Sequence, residues 1–167
     1  MTGRARRSRQ RGSSVLYVVV LSPILLLSLA LATEVGGLQM QKERLRSALD
    51  QSTVVAAAAA ARAGSAAGID EARAVAVMRE VLAENLSPLS SAFADASAFG
   101  IARDADVAVV TDVPAPDPFD SSAMVRHPSI EVRVHVPLHT GLFGVAGLPS
   151  VETLTLTSSA ALRETGA

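Results

Sequence analysis

The chain has no cysteine, and only 3% of its 167 residues are aromatic. The first absence excludes disulfides, thiolate metal sites and cysteine nucleophiles together. The second, with alanine supplying much of the 49% apolar fraction, predicts a thin core, because alanine favours helix but buries little area. Acidic residues are missing from the basic start of the chain, where Arg4, Arg6, Arg7, Arg9 and Arg11 precede the first apolar run. The net charge of -1 therefore hides an asymmetry. Beyond those arginines the chain is acidic, which argues against a nucleic-acid partner for the main domain.

The residue groupings that carry chemistry are also lacking. Catalysis needs a nucleophile with a base, an acid–base pair or a metal site held in a pocket, and no such grouping is legible. Among the histidines, His135 and His139 are four apart on a strand, roughly 13 Å between backbones and too far to share a metal; His127 stands apart from both. Gly141, Gly144 and Gly147 precede a strand and not a helix, unlike a phosphate loop. Asp112, Asp117 and Asp120 match no calcium-loop spacing and read as a solvated turn. Asn85-Leu86-Ser87 is a glycosylation triplet in spelling only. The expectation is a non-enzymatic chain with no catalytic, metal or cofactor-binding residue and no small-molecule substrate.

What is present begins with VLYVVVLSPILLLSLALA at residues 15–32, eighteen residues without a charge. At about 1.5 Å per residue they cover roughly 27 Å, enough to cross the hydrocarbon layer as a helix. The arginines before the span place residues 1–14 in the cytoplasm and everything beyond residue 33 outside. Pro23 frees one backbone carbonyl mid-span, to be met by Ser22, Ser28 or a partner helix. A competing reading is a secretory signal cut after Ala32, since Ala30-Leu31-Ala32 satisfies the small-x-small rule and would release a soluble binding module.

The helix is expected to continue to Ala63, with Val35, Leu38, Leu45, Leu49 and Ala56 on one stripe, interrupted by Lys42 and Ser52. Glu34 stands at the outer membrane interface, as a boundary charge or a contact for a basic group on a neighbouring helix. Gly36-Gly37 offers a kink or the close approach of another helix. A second helix is predicted from Asp70 to Asn85, with Ala74, Val77, Met78, Val81 and Leu82 facing the core. Residues 87–100 read as a loop with room for a helical turn.

From Asp104 the period changes to two. Val107, Val109, Thr111 and Val113 form a first strand. Residues 129–138 form a second, with Ile130, Val132, Val134, Val136 and Leu138 buried and Glu131, Arg133 and His135 wet. Residues 151–161 form a third. The fold class is α+β: helices at 34–103 packed on a small antiparallel sheet at 104–167, both parts of one extracytoplasmic domain. The connection at 138–150 carries Leu142, Phe143, Val145 and Leu148, an apolar content that fits either a core cap or a partner contact.

Taken together, Arg11-Gly12, the span with Pro23, Glu34-Val35-Gly36, the helix QKERLRSALDQSTVVAAAA and the closing EVRVHVPLHTGLFGVAGLPSVETLTLTSSAALRE resemble TadE/TadG-like proteins of the tight-adherence (Flp) pilus system. The resemblance covers the first third and the last quarter of the chain. It implies a pilin-like architecture in the bacterial cytoplasmic membrane and the role of a minor pseudopilin or assembly factor. Its partners would be other pseudopilins and membrane proteins of the pilus or secretion apparatus. In cleaved members the peptidase cuts after a glycine, here Gly12, and an acid stands at the fifth mature position, here Tyr17. That departure implies an uncleaved, TadG-like anchor. Pro23, Glu34, Gly36, Gly37, Leu142 and Phe143 are the expected partner contacts.

Overall fold

The computed structural model of the chain describes residues 5–63, 70–141, 147 and 149–162. A single helix, α1 (Ala5–Ala63), occupies more than a third of the chain and runs without interruption through Pro23 and Gly36-Gly37. Its two halves have opposite surroundings. From Tyr17 to Leu29 every large apolar side chain is exposed, Val18 and Leu25 by 67% each. From Leu45 onward one face is buried: Leu45, Leu49, Ser52, Thr53, Ala56, Ala57 and Ala60. Val35, expected on the buried stripe, is 47% exposed, so packing starts only at the half-buried Leu38.

Helix α2 (Glu71–Leu86) returns along α1. Asp70 caps it, its carboxylate accepting from the Arg73 N–H at 3.0 Å. The side chains it buries are Ala74, Met78, Leu82 and Leu86, while Val77 and Val81 lie at the margin. Where α1 meets α2, the interruption at Ser52 is resolved by a polar pair. Ser52 Oγ donates to the Ala48 carbonyl at 2.7 Å and accepts from Asn85 Nδ2 at 3.0 Å. Both side chains are thus satisfied inside the interface, as burial requires. Asn85 is engaged with Ser52 in this pair.

Residues 87–100 hold more helix than the loop with a helical turn expected of them. Pro88 opens a 3₁₀ helix (Ser87–Ala92), Phe93 then bridges to Leu138, and Ser97 caps α3 (Ala98–Arg103) by accepting from the Gly100 N–H. Phe93, Ala94, Ile101 and Ala102 are buried here. Apolar residues this sparse show no period, yet Phe93, Ile101 and Ala102 join the core shared by the helices and the sheet.

The main sheet is antiparallel throughout, with β1 (Asp106–Val110), β4 (Ser129–His139) and β5 (Val151–Ala161) side by side in that order. Strand β1 is shorter than the alternation at 107–113 suggested; Thr111 lies beyond it and Val113 precedes a cis proline bond. Strands β4 and β5 pair over their full lengths, from Ser129 opposite Ala161 to His139 opposite Val151. The inner face presents Ile130, Val132, Val134, Val136, Leu138 and Leu156 to the helices, as alternation predicted. On the outer face, the short hairpin of β2 (Ala115–Pro116) and β3 (Met124–Val125) folds back over β4. The result is an α+β layered domain carried on a long apolar N-terminal helix.

Candidate interaction surfaces

The sequence singled out residues along α1 first. Pro23 lies inside the helix and has no N–H to offer the carbonyl of Val19, four residues back. Ser28 donates instead to the Ile24 carbonyl at 2.8 Å, so it does not meet the one that proline releases. Gly36 and Gly37 are exposed, and a Cβ built on either meets nothing within 4 Å, so the notch they leave has room for another helix. Glu34 is half-buried on the same helix. Tyr17 is 63% exposed, and Gly12 lies within α1. Leu142 and Phe143 lie outside the described residues.

The ends of the connection that carries Leu142 and Phe143 are placed, however. Thr140, itself buried, bonds through its N–H to the Ser150 carbonyl at 2.9 Å and through its hydroxyl to the Pro149 carbonyl at 2.7 Å. Next to this clamp, Leu138, Glu152 and Leu154 line one small cavity with Val35, Leu38 and Lys42 of α1. The closing end of the β4–β5 hairpin therefore stands only a few residues beyond the exposed apolar half of α1. Primary spacing gave no hint of this, because more than 100 residues separate the two segments.

A second surface was not visible in the sequence at all. At the opposite end of β5, Arg46, Asp50, Asp117, Asp120 and Glu131 line a cleft of about 660 Å³ with Thr157, Ser158 and Ser159. Each carboxylate is held through one oxygen: Asp50 by the Ser158 hydroxyl at 2.6 Å, Asp117 by the N–H groups of Phe119 and Asp120, Asp120 by Ser122, and Glu131 by the Ser129 hydroxyl at 2.7 Å. Among the described residues, the second oxygen of each makes no hydrogen bond. Ser122, through its hydroxyl and its N–H, holds the Asp120 carboxyl below the usual carboxylate range.

Glu131 corrects the expectation of a uniformly wet outer face, being buried at 7% exposure. The hairpin covers it: the Phe119 ring stacks 4.7 Å from the Arg133 guanidinium, which is in turn paired with Asp106 at 2.8 Å. Burial pushes the Glu131 carboxyl up, the Ser129 hydroxyl opposes this, and nearby Asp117 adds to it. A carboxylate raised on folding stabilises the fold less once ionised, so stability is full in acid and declines as pH rises through the raised value. Glu131→Gln is accordingly expected to raise the melting temperature at pH 7. Near pH 4 the two proteins should melt alike. A mutant that melts lower at pH 7 would show that the charge itself is needed.

The histidines are exposed, and His135 Nδ1 lies 3.0 Å from the Thr155 hydroxyl. Among the described residues, no group of three or more His, Asp or Glu side chains is arranged to hold a metal ion. Comparison with family models, with characterised proteins and with solved structures gives no match to this chain.

Proposed function

We propose that the chain is a single-span component of a bacterial envelope assembly, a minor pseudopilin-like or assembly protein of the TadE/TadG type, acting through protein–protein contacts. The observation that carries this reading is the division of α1. One helix near the N-terminus is long and apolar enough to cross a membrane, and the same helix supplies one wall of the domain core. Ten large apolar side chains stand exposed between Tyr17 and Leu29. At roughly 1–2 kcal/mol each, leaving them in water is unfavourable by of order 10 kcal/mol or more, so they call for an apolar cover. A bilayer is that cover in this reading, with the five arginines inside and the domain outside. Pro23 and Gly36-Gly37 are then where other membrane helices dock, and Glu34 faces the outer interface.

Release of a soluble module by cleavage after Ala32 is the alternative. Ala30 to Ala32 lie within continuous helix that runs on into the core, and a peptidase needs its substrate extended. The exposed apolar half would then be lost, and the packed stripe from Leu38 onward would stay with the released domain.

The two separate on the mature N-terminus of the membrane-extracted protein together with a C-terminal reporter. The expected result is a chain beginning at Met1 or Thr2, with no efficient cut after Gly12 because Tyr17 stands where cleaved relatives carry an acid, and a reporter active only outside the cytoplasm. A chain starting at Thr33 supports release, and one starting at Ser13 supports processing as a pilin. Photocrosslinkers at positions 23 and 36 test the contacts, which should capture another membrane protein and not lipid alone.

A further inference from the structure

We propose that the outer edge of β5 is a docking site for an extended segment of a partner protein, added as a fourth strand and carrying a Lys or Arg that enters the acidic cleft at Thr157–Ser159. The proposal deepens the assembly reading by naming how a partner is held, and it uses that reading only to exclude a second copy of this chain.

The phase of the ladder identifies the groups on offer. In an antiparallel pair, facing residues alternate between pairs that exchange both hydrogen bonds and pairs that exchange none. Two bonds just beyond the ends of β4 and β5 set that alternation: Thr140 N–H to the Ser150 carbonyl, and Leu162 N–H to the Pro128 carbonyl. Both lie in the same register as the strands, so the bonded positions of β5 are the even ones, 152 through 160. The odd ones, Val151, Thr153, Thr155, Thr157, Ser159 and Ala161, turn N–H and C=O away from β4, and all six are exposed. Among the described residues no other segment bonds to these groups.

Edges of this kind are normally blunted by proline, lysine, a bulge or shortness. The opposite edge, β1, is only five residues long. By contrast β5 runs eleven residues with neither proline nor lysine, and its one charge, Glu152, is at a bonded position. An unprotected edge of that length is a template for strand addition.

Charge decides the occupant. Asp50, Asp117, Asp120 and Glu131 face the cleft, with Arg46 the one basic residue lining it among the described residues, so a cation on the incoming strand is favoured. A second copy is disfavoured twice. Two chains anchored in one membrane both run β5 outward, and a parallel pair in register sets two acidic clefts beside each other. The antiparallel alternative turns one anchor away from the bilayer. Asp50 lies about 18 residues beyond Ala32 on α1, roughly 27 Å along the helix and clear of the lipid headgroups.

The test uses the full chain in detergent micelles with two capped peptides, acetyl-(Thr-Lys)4-amide and acetyl-(Thr-Glu)4-amide, followed by amide exchange and chemical shift. Without peptide, odd amides of β5 should exchange fast and even ones slowly. The lysine peptide should protect Thr153, Thr155, Thr157 and Ser159 and bind at least about tenfold more tightly than the glutamate peptide, with affinity falling as salt rises. Thr157→Pro deletes one edge donor and no ladder bond, so melting should hold while binding drops about tenfold. Asp50→Asn, which keeps an oxygen for Ser158, should weaken the lysine peptide alone. Equal binding of the two peptides, no protection by about 5 mM peptide, or odd amides already protected in a concentration-dependent dimer would each overturn the proposal. The peptide result is independent of whether the chain proves to be membrane-anchored, so the two readings can fail separately.

Discussion

Leu49→Ala is expected to destabilise the extramembrane domain by about 3 kcal/mol, enough to remove much of the stability of a domain this small. Leu49 is 1% exposed and sits where α1 meets both α2 and the sheet. The core it belongs to is thin, since Ala56, Ala57, Ala60, Ala74, Ala102 and Ala105 make up much of the cluster and bury little area each, so a lost leucine is a large part of it. That cost lies within the ordinary range for truncating a buried leucine. The check is amide-exchange protection of α2 and β4 in the full chain, which should fall together because both elements rest on the same wall. Val35→Ala, by comparison, should change protection by less than about 0.5 kcal/mol, since Val35 is 47% exposed. Equal effects at the two positions would mean that the stripe packs from its first turn after all.

Leu25→Arg is expected to cost about 2.5–3.5 kcal/mol for insertion, a shift of roughly a hundredfold, if the exposed half of α1 lies in a bilayer. Leu25 is two residues beyond Pro23, close to the middle of the apolar run, too deep for an arginine to reach either interface easily. The measurement is the share of chain resisting carbonate extraction from membranes. Met40→Arg serves as the control: Met40 is also exposed, at 58%, but lies on the outer half of α1, so its replacement should leave extraction unchanged. If both variants behave like the parent, the apolar run is not a membrane span, and the assembly reading loses the observation that carries it.

Much of the architecture was legible from periodicity. The long helix, α2 with its Asp70 cap, and the β4–β5 pair follow from spacings of three or four and then two, because those periods place one face against a core. Ser52 shows where the same reading stops. On the stripe it was an interruption, and only the arrival of Asn85 from a helix 33 residues away makes its burial favourable. The segment holding α3 was read as a loop because Ala, Ser and Gly dilute Phe93 and Ile101 below any visible period. Glu131 was assigned to solvent by alternation, which is correct for an isolated strand and fails once the β2–β3 hairpin folds over it.

By itself, then, the sequence determined the properties that depend on neighbours along the chain: the apolar run of α1, the basic start, the helices and strands of strong period, and the inner face of the sheet. These are local because helix and strand geometry convert residue order directly into direction. Tertiary structure alone decided which elements meet. It set the hairpin's closing end beside the start of the packed half of α1, and it brought Asp50, Asp117, Asp120 and Glu131 from three separate segments to one cleft. It also left β5 at the edge, since strand order and ladder phase exist only once strands have paired.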